Sequence, residues 1–446
     1  MYELFFILGL TIFIGFVAIL SAERMRISQV LILMLFGFVL GPLLNLVDVT
    51  PSSLIVSILP FIATLALIVL LFDAGLNIDV FALSRSVPKG MLFTILVFLL
   101  SLVLVTLFGM LLLGWSLLQC ILLGAVVGGT SSAIVMTMTQ KTNISKEAKS
   151  VLAIESTLTD ALSIIIAIIV IQLILAKGAP DASTVLSLLL SSFTFALMLG
   201  VLFAALWIAA IIRFRISDYA YILTLALVFG LYASTEAVKG NGGFAVFVFA
   251  LILGNAKKIG DILRLRGELS VSPKIQFLQE EITFFVRTFF FVYIGLLFSL
   301  SYFTFPVVVV SLFLLGIFVF ARWLMQRFTL PDLTKKDKRV VVAMLPRGLA
   351  AAVLVTMAIS SGIILTGFQE LVFVVILLSN ILATAGIFIL DRPHKKAPEN
   401  ILEEELEEPL PEEAEEIERE EEEVEIEEVG EEKPKKRQAK SRKVKS

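Results

Sequence analysis

The sequence predicts an all-α polytopic membrane protein. About 13 transmembrane helices form an inverted repeat of six-helix units, with two discontinuous helices that cross. Three observations predict this. The chain has 446 residues, 58% of them hydrophobic, and a mean hydropathy of +0.97, so the bilayer must be its solvent. The apolar residues come in continuous runs without two-residue alternation, which argues against strands. Glycine- and proline-bearing breaks fall at matched positions in the two halves, as in repeat-built transporters.

The chain opens on a run at 4–20 with no basic stretch before it, which reads as an uncleaved span and not a signal peptide. Runs at 27–47, 53–76 and 88–113 follow, each long enough to cross ~30 Å of hydrocarbon. The fifth, 117–139, contains Gly124, Gly128, Gly129, Thr130, Ser131 and Ser132, a string that weakens a helix and frees carbonyls at mid-membrane. The sixth, 149–176, carries Glu155 and Asp160. Runs at 184–212 and 218–236 precede a short, glycine-edged ninth at 243–256. The tenth and eleventh lie at 279–299 and 303–327. The twelfth, 338–360, is interrupted by Pro346-Arg347-Gly348, and 366–390 is the last. The breaks fall in the fifth span of each set of six, with span seven as a linker.

The loops test this count. Those after odd-numbered spans carry 19 Lys and Arg, whereas those after even-numbered spans carry only Lys177 and Lys239. The bias puts the odd loops and the C-terminus in the cytoplasm and the N-terminus outside. Residues 1–392 thus form the membrane domain, with spans 1–6 and 8–13 as its repeats. Residues 393–446, acidic to Glu432 and basic from Lys433, form a charged tail that cannot bury a core. Cys120, the single cysteine, excludes an internal disulfide, and His394 at the membrane exit reads as interfacial.

Within the spans stand Asp73, Glu155 and Asp160 against Arg287, Arg322 and Arg347. Ionised side chains at the bilayer centre cost ~2.5–3.5 kcal/mol each on insertion scales, so such residues face protein or a water-filled cavity. Glu23, Glu236, Glu280, Glu281 and Glu370 fall at span ends and read as solvated. On the sixth span, Ser156 and Asp160 stand one turn apart, as do Glu155 and Thr159 on the neighbouring face. One face therefore offers hard oxygen ligands for a small cation, and the other a carboxylate in need of a partner.

With spans and breaks placed, the chain resembles the monovalent cation:proton antiporter superfamily, on its sodium/proton exchanger (NhaP-like) branch. The resemblance covers about residues 4–390. It rests on Arg26-Ile-Ser-Gln-Val30 through Gly41-Pro42, Phe72-Asp73-Ala-Gly75-Leu76, Gly129-Thr130-Ser131, Glu155-Ser156-Thr-Leu-Thr159-Asp160, Phe284-Phe-Val-Arg287 through Gly295, Ala321-Arg322 and Pro346-Arg347-Gly348. It implies that Asp160 binds either cation or proton. Ser156 and the Thr130 carbonyl would ligate the ion (Na⁺ first, Li⁺ and K⁺ open), with Asp73 and Thr159 contributing to the site. Glu155 would be structural, paired with Arg322 ahead of Arg287. A homodimer is implied by the resemblance alone. The chain departs from the family in two places: Thr-Asp becomes Thr130-Ser131, which leaves Arg347 without its usual partner, and the Asn before the essential Asp is Thr159.

Burial disfavours a charged carboxylate and a nearby cation favours it. An aspartate balanced between the two gives up a proton to bind a cation, or the reverse, so one-for-one electroneutral exchange follows with no cofactor beyond the transported Na⁺ and H⁺. Two other classes stay open: a K⁺ or other cation efflux protein or channel on a related scaffold, and a sodium-coupled solute symporter. No nucleophile–base pair or metal-ligand spacing points to an enzyme, and nothing in the chain calls for nucleic acid; its surroundings are membrane lipid.

Overall fold

The structure, a computed structural model, describes residues 2–25, 27–44, 46–47, 59–78, 88–139, 142–176, 182–214, 220–263 and 273–390. All of them belong to one compact unit, Met1–Arg392. Outside the described residues lie the start of the third run at 53–58, His394, the tail at 393–446, and Arg26, Arg85, Lys141, Lys177, Arg215, Arg264 and Arg266 among the loop cations.

Every regular element among the described residues is helical. In chain order they are α1 (Tyr2–Met25), α2 (Gln29–Phe38), α3 (Leu59–Asn77), α4 (Pro88–Phe108), α5 (Leu117–Gly128), α6 (Ser132–Thr139), α7 (Lys146–Leu175), α8 (Ala182–Phe214), α9 (Ala220–Ala237) and α10 (Gly242–Gly254). They continue with α11 (Ala256–Leu263), α12 (Pro273–Leu297), α13 (Phe305–Thr329), α14 (Lys335–Ala343), α15 (Leu349–Ser360) and α16 (Phe368–Leu390). The thirteen runs each become one helix or one broken pair, α5/α6 and α14/α15. Two of them end in a π turn: Val39–Leu43, where Pro42 removes a donor, and Gly109–Leu113.

Helix ends extend past the apolar runs wherever a cap allows a polar first turn. The α7 helix starts at Lys146, not 149, because the Ser145 hydroxyl accepts from the Ala148 amide at 3.2 Å. Thr334 caps α14 in the same way through the Asp337 amide at 3.1 Å. Helix α11 lies between the ninth and tenth runs. It is a short amphipathic piece, Ala-Lys-Lys-Ile-Gly-Asp-Ile-Leu, that exposes Lys257 and Lys258 and buries Gly260.

The helices cross tightly where glycine removes a side chain. A Cβ on Gly37 of α2 would lie 2.0 Å from the Val292 carbonyl of α12, and one on Gly295 of α12 would lie 2.2 Å from the Met34 carbonyl. With no net hydrophobic drive between helices in lipid, this close backbone approach is a main source of packing energy.

Two contacts join odd-numbered loops to one another. Lys89, after the third run, bonds Asp332, after the eleventh. The Ser145 amide, after the fifth, donates to Asp337 at 3.1 Å. Lys89 holds the exposed Asp332 carboxyl below the usual carboxylate range, chiefly through their hydrogen bond and then through its charge. The folded value is the lower one, so this contribution is present above the ordinary carboxylate value and fades as pH falls through the lowered one. Exposed pairs contribute little. Asp332→Asn is therefore expected to leave the melting temperature at pH 7 unchanged within about a degree.

Candidate functional site: the crossing of two broken helices

Both breaks lie at the centre of the membrane unit and hold each other. The first spans residues 129–131 between α5 and α6, and the second 344–348 between α14 and α15. The Ser131 amide donates to the Pro346 carbonyl at 2.9 Å, so each break satisfies a group the other leaves free. Gly348 is where they touch: a Cβ there would stand 2.4 Å from both the Cβ and the Oγ of Ser131. Gly348→Ala is expected to destabilise by about 1–3 kcal/mol through overpacking, read as a lower melting temperature in detergent.

Helix α7 runs past the first break and reads it residue by residue. The Gly129 amide donates to the Ser163 hydroxyl at 3.1 Å, and the Thr130 amide to the Thr159 hydroxyl at 3.1 Å. The Thr130 hydroxyl donates to Glu155 Oε1 at 3.0 Å. Asp160 then receives the first turn of α6, since the Ser132 amide and hydroxyl both donate to its Oδ2, at 3.0 and 3.1 Å. A helix N-terminus with an added hydroxyl is a fitting partner for a carboxylate. Both bonds fall on Oδ2, which leaves Oδ1 without a protein partner among the described residues. Ser156 is fully buried, and its hydroxyl donates to the Ala153 carbonyl at 3.2 Å with its lone pairs left over.

Glu155 is the other carboxylate of this helix, 1% exposed, and its Oε2 pairs with Arg322. The same guanidinium caps the end of α14, donating to the carbonyls of Val341 at 2.6 Å and of Met344. Arg322 thus ties α7 to the second break. Arg287, the second sequence candidate for Glu155, lies elsewhere. It stands on α12, close enough to Asp73 and Asp160 to act on both electrostatically, and makes no close ion pair among the described residues. Asp73 on α3 accepts from Asn77 one turn on, at 3.2 Å.

Arg347, left without its usual acidic partner by Ser131, is held by neutral groups. One of its terminal nitrogens donates to the carbonyls of Gly128 (2.9 Å) and Gly129 (2.6 Å) and to the Thr130 hydroxyl (3.1 Å). Its guanidinium carbon lies 4.1 Å from the Phe318 ring centroid. The free carbonyls at the buried end of α5 carry the negative end of a helix dipole, and an aromatic face attracts a desolvated cation. Behind it, the Arg347 amide donates to the Ser379 hydroxyl at 3.0 Å, and Asn380 donates to the Arg347 carbonyl at 2.8 Å.

The structure therefore gathers Thr130, Glu155, Ser156, Thr159, Asp160, Arg322 and Arg347 at one crossing, with Asp73 and Arg287 electrostatically coupled to it. Sequence reasoning missed Ser132, Ser163 and Phe318. For Ser132 a signal existed: it is the first residue after the break, where a new helix presents free amides.

The chain matches the family described as "Sodium/hydrogen exchanger, transmembrane" over residues 9–390. It is 23% identical over 385 residues to the Probable Na(+)/H(+) antiporter 2 of Methanocaldococcus jannaschii, covering 78% of this chain and 85% of that one. It is 26% identical over 280 residues to the K(+)/H(+) antiporter NhaP of Alkalimonas amylolytica, covering 61% of this chain and 48% of that one. Its fold matches the solved structure of the sodium proton antiporter MjNhaP1 from Methanocaldococcus jannaschii at pH 8, with a TM-score of 0.69 and 22% identity over 86% of this chain and 99% of that one. A family match across almost the whole helical unit, on a shared fold of about 13 helices, shows that this multi-pass membrane protein belongs to the sodium/hydrogen exchanger family.

Proposed function

We propose that this protein exchanges a monovalent cation, Na⁺ first, for H⁺, with the two cargoes competing for Asp160. The observation that carries the reading is Asp160 itself. It is a membrane-centre carboxylate with one oxygen held by Ser132 and the other without a protein partner, at the crossing of two broken helices. Supporting ligands are Ser156, the Thr130 carbonyl, Thr159 and Asp73, an all-oxygen set suited to a hard cation. Glu155, already committed to Arg322 and Thr130, is structural. Arg347 and Arg322 carry fixed positive charge that steadies the breaks.

Because only Asp160 changes its charge state, the proposed stoichiometry is one to one and the exchange electroneutral. The odd-numbered loops face the cytoplasm of the cell membrane, as their 19 basic residues argue, and the assembly is a homodimer. A K⁺ preference is the second reading. The Alkalimonas relative is named as a K(+)/H(+) antiporter, and Ser131 removes a carboxylate that the resemblance leads one to expect.

The test is proton flux in proteoliposomes on adding Na⁺, K⁺ or Li⁺. Competition predicts that the apparent KM for the cation climbs as pH falls, and one-to-one exchange predicts no net current under an imposed cation gradient. A cation KM indifferent to pH would overturn the competition, and a current would overturn the stoichiometry.

A further inference from the structure

Serine and threonine hydroxyls inside apolar helices ordinarily bond the carbonyl one turn back in their own helix. Thr94, Thr106, Thr139, Thr235 and Thr356 all do so here. Ser163 on α7 does not. Its side chain is fully buried, and its hydroxyl leaves α7 to donate to the Ala125 carbonyl of α5. The same oxygen accepts from the Gly129 amide at 3.1 Å. In an unbroken helix that amide would bond that carbonyl directly, four residues back. The Ser163 hydroxyl is therefore spliced into the last rung of the α5 ladder, an insertion of the kind that bends or ends a helix. At Gly129 the backbone turns extended, with φ −72° and ψ 144°.

We propose that Ser163 is a positioning residue for the transported cation: it fixes where α5 ends, and so the depth at which the Thr130 carbonyl is presented to the ion held by Asp160. The proposal deepens the exchange reading and rests on it for the ligand role of that carbonyl. Two stripes on α7 carry the argument. Glu155, Thr159 and Ser163, spaced four residues apart, take in turn the Thr130 hydroxyl, the Thr130 amide and the Gly129 amide. Ser156 and Asp160, on the neighbouring stripe, face the ion in the exchange reading. One stripe grips the break and the other uses it. The grip has no slack, since a Cβ on Gly129 would stand 2.9 Å from the Ser163 Cβ and 3.0 Å from the Thr159 carbonyl. Glu155 also serves Arg322. Among the described residues the Ser163 hydroxyl has no task except the two ends of that rung.

Without the hydroxyl, the Gly129 amide closes on the Ala125 carbonyl. That adds one rung to α5 and draws Thr130 off the Thr159 hydroxyl. Asp160 keeps its bonds to Ser132 at the start of α6. Cation affinity therefore falls while the competition with protons is untouched.

In proteoliposomes, Ser163→Ala is expected to raise the apparent KM for Na⁺ roughly tenfold, the scale on which groups behind a first ligand act. The rise is smaller for K⁺, because the smaller ion demands the closer geometry. Maximal rate and the pH dependence of KM stay as in the parent. Ser163→Cys, whose thiol is a weaker donor, falls between the two and carries the test if the Ala variant does not fold. A lowered melting temperature with unchanged KM values would make Ser163 structural only and overturn the proposal, as would an equal rise for both cations. A second readout needs no transport: cryo-electron microscopy of purified Ser163→Ala protein. A Gly129 amide turned onto the Ala125 carbonyl supports the role of Ser163 in setting the break, whatever becomes of the exchange reading. A break that stays where it stands in the parent overturns it.

Discussion

Asp160→Asn is expected to reduce cation-driven proton flux to that of protein-free vesicles, with the protein still folded. The amide keeps an oxygen where Oδ2 stood, so the Ser132 amide and hydroxyl retain an acceptor and the first turn of α6 stays in place. The substitution deletes only the charge that a cation or a proton would neutralise. Melting temperature should move by no more than a few degrees, and extraction should give the same monodisperse peak. If the Asn variant went on exchanging, Asp160 would not be the shared group and the competition would have to be placed elsewhere, with Asp73 the next carboxylate to examine.

Arg322→Met should have the largest effect on stability. Removing one partner of a buried ion pair costs about 3–5 kcal/mol, because the other charge stays buried alone. Here the loss goes further. Arg322 also satisfies the Val341 and Met344 carbonyls at the second break, and these lose their donor at a depth where no water replaces it. The expected result is poor extraction and a melting temperature lowered by ten degrees or more. Glu155→Leu combined with Arg322→Met should recover part of this, since the lone carboxylate is gone, but not all, since the carbonyls are still orphaned and the Thr130 hydroxyl has lost its acceptor. A double variant no more stable than the single one would place the cost in the carbonyls and not in the pair.

Much of the fold was legible because hydropathy and charge report independent things. The runs gave the helices, and the alternation of basic loops fixed their number, a count the helices match. Glycine and proline marked both breaks, since only a backbone without Cβ, or without an amide donor, suits that depth. Other features were less accessible. Ser131, which bonds across to Pro346, and Ser132, which bonds to Asp160, differ in which one opens the new helix, and that turns on where the break ends. Arg322 was ranked above Arg287 for Glu155 by resemblance, and the structure brings Arg322 there across 167 residues of sequence separation. The partners of Arg347 were out of reach, because two are backbone carbonyls, one is a hydroxyl and one is a ring, none of which marks an arginine partner in the sequence. Glu236 read as solvated from its place at a span end, and it is exposed.

The manner in which Arg347 is held has a consequence for the proposed exchange. Carbonyls, a hydroxyl and a phenyl face hold that guanidinium, and none of them takes up a proton at physiological acidity. A fastening of this kind does not loosen when its surroundings acidify. The frame stays indifferent to what it carries, and sensitivity to acid is left to the carboxylates at its centre.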